Sequence, residues 1–380
     1  MASFCFINTS RQMGIRGLHI CIKKTIPKVI KPVDWLDWSG KRIGIDILCF
    51  IYKAITAGEN PLEVIAAQIA FFKKNNIKII YVFDGKPPSE KESVCDKRSN
   101  DRKNAILKCT ELRSLLELEQ DSEKRDFIKS QIHVLEIQFP SISFQVKDEI
   151  KKFLYATGTM FISPNCEADT ILAYWFRRGI LDAIVSHDYD FIARGCRLLT
   201  PAKKLTNIIQ NLWFPKEIMN DKEKAFCKQQ QQQQQQQEQW EDYDPVKIRK
   251  ALYLCESRFV NLCVLMGSDY TPGLPIVPWK SALKSLQYHE SVESIWARNT
   301  FSNWRQAEPK NVLLAEMKII QNAKQILTGE NDRPEAMMDP AQWEKWHISV
   351  ETPEPESLAS FKKLYPEWES SWWQVFTEAL

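Results

Sequence analysis

The 380-residue chain has no apolar run long enough to cross a bilayer. Its longest, around "FVNLCVLMG", falls well short of the roughly 20 residues that a helical span needs. The opening "MASFCFINTSRQ" has no basic stretch followed by an apolar core, so no secretory leader is expected. Ten cysteines are present, but no two stand as C-x-x-C, and they are scattered among strand-like and helix-like stretches. Free thiols in a reducing compartment are therefore expected, not disulfides or a zinc site. Between 86 and 156, after "GKPP", there is no strand signal.

What is present is enough for one large α/β domain or two smaller ones, at 44% hydrophobic residues. Net charge is only +3 but uneven: residues 1–83 hold 12 Lys and Arg against 5 Asp and Glu, while 290–380 hold 9 against 15. The N-terminal part could face a polyanion, and an ordinary solvated surface is the competing reading.

Four stretches read as strands: "KRIGIDIL" (41–48), "IKIIYVFD" (77–84), "GTMFIS" (158–163) and "LDAIVSHD" (181–188). Short, rich in Ile and Val, and separated by helical patterns, they predict a mostly parallel sheet with helices on both faces. Three of them end in or next to an aspartate: Asp46, Asp84 and Asp188. In open α/β sheets the carboxyl ends of strands line the ligand crevice, so these acids are expected to converge.

The charged, Leu-rich segment 86–156 reads as two or three helices projecting from the sheet, with Pro87 and Pro88 suited to a helix start. Lys91, Arg98 and Arg102 fall on one helical stripe. Because Glu90, Glu92, Asp96 and Asp101 interleave, a salt-laced solvated helix is the alternative. Nine consecutive glutamines, 229–237, cannot build a core and predict a surface insertion. Seven of the 13 tryptophans fall in the last ninety residues, which either pack back on the body or form a partner-binding surface.

More acids follow. Glu167 and Asp169 open a helix that stops at Gly179, where the helix dipole alone would explain them. Asp190 stands two residues beyond Asp188, and Asp269 follows "LCVLM". Two carboxylates ~4 Å apart repel by roughly 4 kcal/mol at an effective dielectric of 20. Several such pairs would rival the stability of a whole domain, about 5–15 kcal/mol. No cluster of Lys or Arg sits beside these acids in sequence, so divalent cations are the expected remedy. All-oxygen ligands suit Mg²⁺ or Mn²⁺. In extended chain the Asp-x-Asp spacing aims both side chains the same way. Two such ions ~4 Å apart are the usual apparatus for phosphodiester hydrolysis.

Seven blocks, "MGIRGL" (13–18), "GIDIL" (44–48), "YVFDGKPP" (81–88), "KRSNDRK" (97–103), "EADTILAYW" (167–175), "SHDYDF" (186–191) and "LCVLMGSDY" (262–270), occur in the order found in flap endonuclease/XPG superfamily 5′ nucleases. The resemblance runs from Met13 to about residue 295. It implies an α/β, PIN-like (Rossmann-like) twisted sheet flanked by helices, with a helical arch and a helix–two-turn–helix element that grips duplex DNA. It implies two Mg²⁺ ions on Asp46, Asp84, Glu167, Asp169, Asp188, Asp190 and Asp269, with Mn²⁺ as a substitute. Lys91 and Arg98 match the arch residues that act on the scissile phosphate, and Arg102 continues their stripe. Tyr52 matches an aromatic that stacks on a base beside the cut, the alternative being a core tyrosine, and Lys280 is a candidate phosphate contact.

The expected organisation is an extension (1–12), an N-terminal nuclease region with the start of the arch (13–110) and the rest of the arch (111–156). An internal nuclease region (157–228), the glutamine insertion (229–239), the helix–two-turn–helix region (240–295) and a Trp-rich acidic region (296–380) follow. Three departures stand out. Residues precede Met13, where family members begin, so the extension is threaded aside or translation starts at Met13. The stretch from Asp46 to Asp84 is shorter than in cellular flap endonucleases, which puts the wedge and the one-nucleotide 3′-flap pocket in doubt. Ile276-Val277-Pro278 replaces a Gly-Ile-Gly hairpin, and Pro278 has no N–H to offer a phosphate.

The "DKR…DRK" arch, "GSDYTPGL" and the altered hairpin resemble the flap-endonuclease-like proteins of large DNA viruses, including poxviruses and iridoviruses. The expected partner is branched or nicked duplex DNA with a 5′ flap or end, acted on by a monomer in the nucleus, or in infected-cell cytoplasm if the protein is viral. Neither a membrane nor a sliding clamp is an expected partner. A catalytically weak DNA-binding scaffold of the same fold and a PIN-type ribonuclease are the competing readings.

Overall fold

In the computed structural model, which describes residues 14–139, 142–201, 240–271, 277–297, 310–330, 332 and 355–365, seven short segments pair into one sheet. They are Lys31–Pro32 (β1), Arg42–Asp46 (β2), Lys78–Val82 (β3), Met160–Ile162 (β4), Ala183–Val185 (β5), Leu198–Pro201 (β6) and Trp240–Tyr243 (β7). Their order is β1-β7-β6-β5-β2-β3-β4. The five strands from β6 to β4 are parallel, and β7 and β1 add antiparallel pairs at one edge. All four strands expected from the sequence are present. Ile47 and Leu48, read as strand, instead begin a helix, because the chain turns directly at Asp46.

Period-two alternation divides the core between the two faces of the sheet. Ile43, Ile45, Ile79, Tyr81, Ala183 and Val185 point to one side. Ile80, Val82, Ile184 and Leu198 point to the other. The helices are Leu18–Thr25 (α1), Ile47–Ala57 (α2), Pro61–Lys74 (α3), Glu92–Leu118 (α4), Ser122–Gln138 (α5), Phe144–Ala156 (α6), Ala168–Arg177 (α7) and Asp190–Ala193 (α8), with further helices after β7. α2, α3 and α6 cover the first face, joined by Leu358 and Phe361 of the helix Pro355–Leu364. α1, α7, α8 and the helix Glu256–Met266 cover the second. At Gly44 on β2, an added Cβ would lie 2.4 Å from Leu172 and 2.6 Å from Leu181, so α7 seats on the sheet because that position carries no side chain.

α4 and α5 form an antiparallel pair that buries little apolar surface: Ala105 and Cys109 on α4, Ile132 on α5. Asp121 caps α5 through the N–H groups of Glu123 and Lys124, and Arg125 Nη1 donates to the carbonyls of Leu116 and Glu119 to close the turn. Only these two of the helices expected to project between 86 and 156 pair with each other in this way; the third, α6, packs on the sheet through Ile150, Phe153 and Leu154, because its apolar stripe matches that face. Pro88 caps the short 3-10 turn before α4.

The eight described cysteines are free thiols. Among the described residues no helix is long and apolar enough to cross a membrane. The glutamine tract, the residues before Gly14 and the tryptophans at 343, 346, 368, 372 and 373 lie outside the described residues.

Candidate active site

The strand order reverses at β2. The chain leaves β2 toward β3 and β4, then crosses back to place β5 and β6 on the other side. Such a reversal opens a crevice at the carboxyl ends of the strands. Asp46 is the last residue of β2, and Asp84 lies two residues beyond β3. Asp188 lies three beyond β5, and Asp190 begins α8. Glu167 and Asp169 sit at the start of α7. Asp269 follows the helix Glu256–Met266.

These carboxylates are tied together by short bonds. Ser186 Oγ donates to Asp46 Oδ2 at 3.0 Å and accepts from the Asp188 N–H at 3.1 Å, linking two acids through one hydroxyl. Asp84 accepts from the Ala168 N–H at 2.9 Å, which anchors it to the N-terminus of α7. The Asp188–Asp190 pair is not extended, contrary to the sequence expectation. Tyr189 is helical at φ −76°, and Asp188 Oδ1 accepts the Asp190 N–H at 2.9 Å, so the side chain itself starts the turn of α8. Asp190 Oδ1 also accepts the Ile15 N–H at 2.6 Å. At Gly14 a Cβ would lie 2.2 Å from Asp188 Oδ1 and 2.6 Å from Asp190 Oδ1, and φ is +79°, so only glycine fits there.

The electrostatics follow from this packing. Burial, then the charges of Asp84 and Asp169, push the Asp46 carboxyl well above the usual carboxylate range. Burial, then Asp190 and Asp169, do the same to Asp188. Asp190 is pushed up to about 7, burial again being the largest cause, with Lys91 opposing and Asp169 and Asp269 adding to it. Asp84 and Glu167 are raised by burial, Lys91 working against it at Glu167.

Three cations do stand among the acids in space, although none is adjacent in sequence. Lys91 Nζ lies 3.0 Å from both oxygens of Glu167 and 3.9 Å from Asp169. Arg98 Nη2 lies 2.7 Å from Asp269 Oδ2. Arg194 is buried, with Nη2 2.7 Å from the hydroxyl of Tyr270, the residue after Asp269. Cations are few beside these seven carboxylates, and burial first, with neighbouring acids adding to it, holds five of the carboxyls above their ordinary range. A donor set made only of carboxylate oxygens in surplus fits a hard divalent cation. The acids are gathered but not closed into a cage: among the described residues no three or more of these side chains stand together closely enough to hold a metal ion without moving.

Two sequence-family models match: the XPG N-terminal domain over residues 13–105 and the XPG I-region over 158–269, together more than half of the chain. The chain belongs to the flap endonuclease/XPG superfamily. It is 26% identical over 326 residues to flap endonuclease 1 of Mus musculus, covering 80% of this chain and 75% of that one. Flap endonuclease 1-A of Oryza sativa subsp. japonica is 25% identical over 303 residues, covering 74% and 68%. In fold it resembles flap endonuclease-1 from Methanococcus jannaschii, with a TM-score of 0.53 at 17% identity over 92% of this chain and 97% of that one. The catalytic core of Rad2 in complex with a DNA substrate gives 0.53 at 16% identity over 94% and 98%. The PIN-like architecture expected from the sequence is therefore the one observed.

Within this superfamily fold, the acids lie in both matched regions, Asp46 and Asp84 in the first and the other five in the second. Lys91 and Arg98 face them from the 3-10 turn and α4. Tyr52 is half-buried on α2 against the core, Arg102 is half-buried one turn beyond Arg98, and Lys280 is exposed, 5.6 Å from the Trp279 ring. Among the described residues none of these three is bonded to an acid of the cluster. Ile276 lies outside the described residues. The Val277 N–H is used internally, on the Leu265 carbonyl at 2.9 Å, and Pro278 caps the helix Trp279–Tyr288. Sequence reasoning missed Gly14, Ser186, Arg194 and Tyr270. Gly14, Ser186 and Tyr270 sit inside quoted motifs, whereas nothing local marks Arg194.

Proposed function

We propose that this chain is a Mg²⁺-dependent, structure-specific 5′ nuclease that hydrolyses phosphodiesters in flapped, nicked or branched DNA. The observation that carries this reading is the convergence of seven carboxylates from five stretches of chain, faced by Lys91 and Arg98. Asp46, Asp84, Glu167, Asp169, Asp188, Asp190 and Asp269 would hold two Mg²⁺ ions. Bound there, the metal supplies an activated water and stabilises the leaving oxygen. Ser186 and the Ala168 and Ile15 N–H groups fix the acids, so little reorganisation is needed when DNA arrives. Lys91 and Arg98 exchange carboxylate for the scissile phosphate, where Arg offers a planar fork and Lys a point charge.

The short link between α2 and α3, where Asn60 caps the second helix, and the proline-bearing segment before Trp279 support the branch found in large DNA viruses. On that reading the protein is a monomer acting in the nucleus, or in the cytoplasm of an infected cell, during replication, repair or recombination.

The test is a substrate panel: a 5′-flap duplex, a nicked duplex and a single-stranded RNA, each with and without Mg²⁺. Cleavage of flap or nicked DNA only with Mg²⁺ supports the reading. Folded protein that cuts nothing indicates a binding scaffold, and preference for RNA indicates a ribonuclease.

A further inference from the structure

Arg194 has no place in the metal-and-phosphate chemistry above, yet it is only 3% exposed, and its backbone N–H donates to the Asp190 carbonyl at 3.0 Å. Its Nη2 donates to the Tyr270 hydroxyl at 2.7 Å. Its Nε and Nη1 are buried with no hydrogen-bond partner among the described residues. A buried guanidinium that satisfies so few of its five N–H donors is costly, and an apolar residue of similar volume would fill the same space more favourably. Packing alone therefore does not account for it.

The same Tyr270 ring is approached from elsewhere by a second cation: Lys91 Nζ lies 4.4 Å from the ring centroid. The Arg194 guanidinium carbon lies 5.6 Å from that centroid. Tyr270 is itself 1% exposed and follows Asp269, the partner of Arg98. One buried aromatic ring is thus held at its hydroxyl by Arg194 and offers its π-cloud to Lys91, while Lys91 reaches Glu167. A cation held against a ring in a desolvated site is stabilised by it, but only while the ring keeps its place.

We propose that Arg194 is a positioning residue for the cleavage step: it pins Tyr270 so that the ring supports the Lys91 ammonium in the crevice. This role rests on the nuclease reading given above, and it assigns Arg194 an action through Lys91 and not on DNA directly.

The experiment is a mutant cycle read by single-turnover cleavage of a 5′-flap duplex in saturating Mg²⁺, with flap affinity measured separately. Tyr270→Phe, Arg194→Met and Arg194→Lys are each made alone and combined with Lys91→Ala. Tyr270→Phe and Arg194→Met are expected to slow cleavage about ten-fold, the scale of one hydrogen bond to a charged group, with affinity unchanged. Arg194→Lys restores part of the loss. In the Lys91→Ala background the same changes cost less than about two-fold, because residues that act through one another are not additive. Equal losses in both backgrounds, or an unchanged rate for Tyr270→Phe, overturn the proposal. Tyr270→Phe removes a single oxygen, so it decides the matter even where Arg194→Met fails to fold. Wild-type protein that cuts no flap overturns the nuclease reading instead, so the two failures are distinct.

Discussion

Burial raises the proton affinity of Asp46, Asp84, Glu167, Asp188 and Asp190 most, and the Asp169 carboxylate adds to it in all five. A carboxyl that holds its proton more tightly in the folded chain than in the unfolded one contributes stability at low pH. It loses that contribution as pH rises through the folded value. Without metal, the protein is therefore expected to melt at progressively lower temperature between about pH 4 and pH 7. Mg²⁺ should reverse the loss, giving a larger melting shift at pH 8 than at pH 5. Calorimetry in EDTA and in Mg²⁺ checks this, and equal shifts at both pH values would contradict it. Asp188→Ala is expected to slow flap cleavage by roughly 100-fold or more while leaving DNA affinity largely intact. Near-wild-type turnover would remove Asp188 from the site. At this scale the acids were legible in the sequence because strand-end carboxylates are rare in a buried sheet. Arg194 was not, because its partner Tyr270 is remote in sequence and the ring that joins it to Lys91 exists only in the fold.

Among the elements, β2 does the most with the fewest residues. It delivers Asp46 to the crevice, pairs with both β3 and β5, and lets α7 lie close through Gly44. Gly44→Ala forces Leu172 and Leu181 aside and is expected to cost about 1–3 kcal/mol of stability, the usual penalty of overpacking. Urea unfolding measures it, and an unchanged midpoint would show that α7 yields without cost. The central strands could be read from sequence because a short Ile and Val run that stops at an acid suits a buried strand opening on a crevice and little else. β1 and β7 could not. The first is two residues long, and "WEDY" alternates too briefly to outweigh its charges. The turn at Asp188–Asp190 was misread for a related reason: spacing alone does not tell an extended Asp-x-Asp from one whose first carboxylate caps the helix begun by the second.

For the whole molecule, the sheet registers Pro201 directly against Trp240, so residues 202–239, with the nine glutamines, leave and re-enter the fold at neighbouring points. Loop-closure entropy varies only logarithmically with length. Replacing 202–239 by a short Gly/Ser turn is thus expected to leave thermal stability and flap cleavage nearly unchanged, and a large loss in either would reveal a role for the insertion. The same view gives the Lys91–Glu167 and Arg98–Asp269 bonds a further meaning. They clasp the long helix α4 to the body at the mouth of the crevice. On the nuclease reading proposed above, a strand would have to present its phosphate to both cations at once to open the clasp, and one reaching a single cation would leave the other fastened, so shape would be tested before any bond is put at risk.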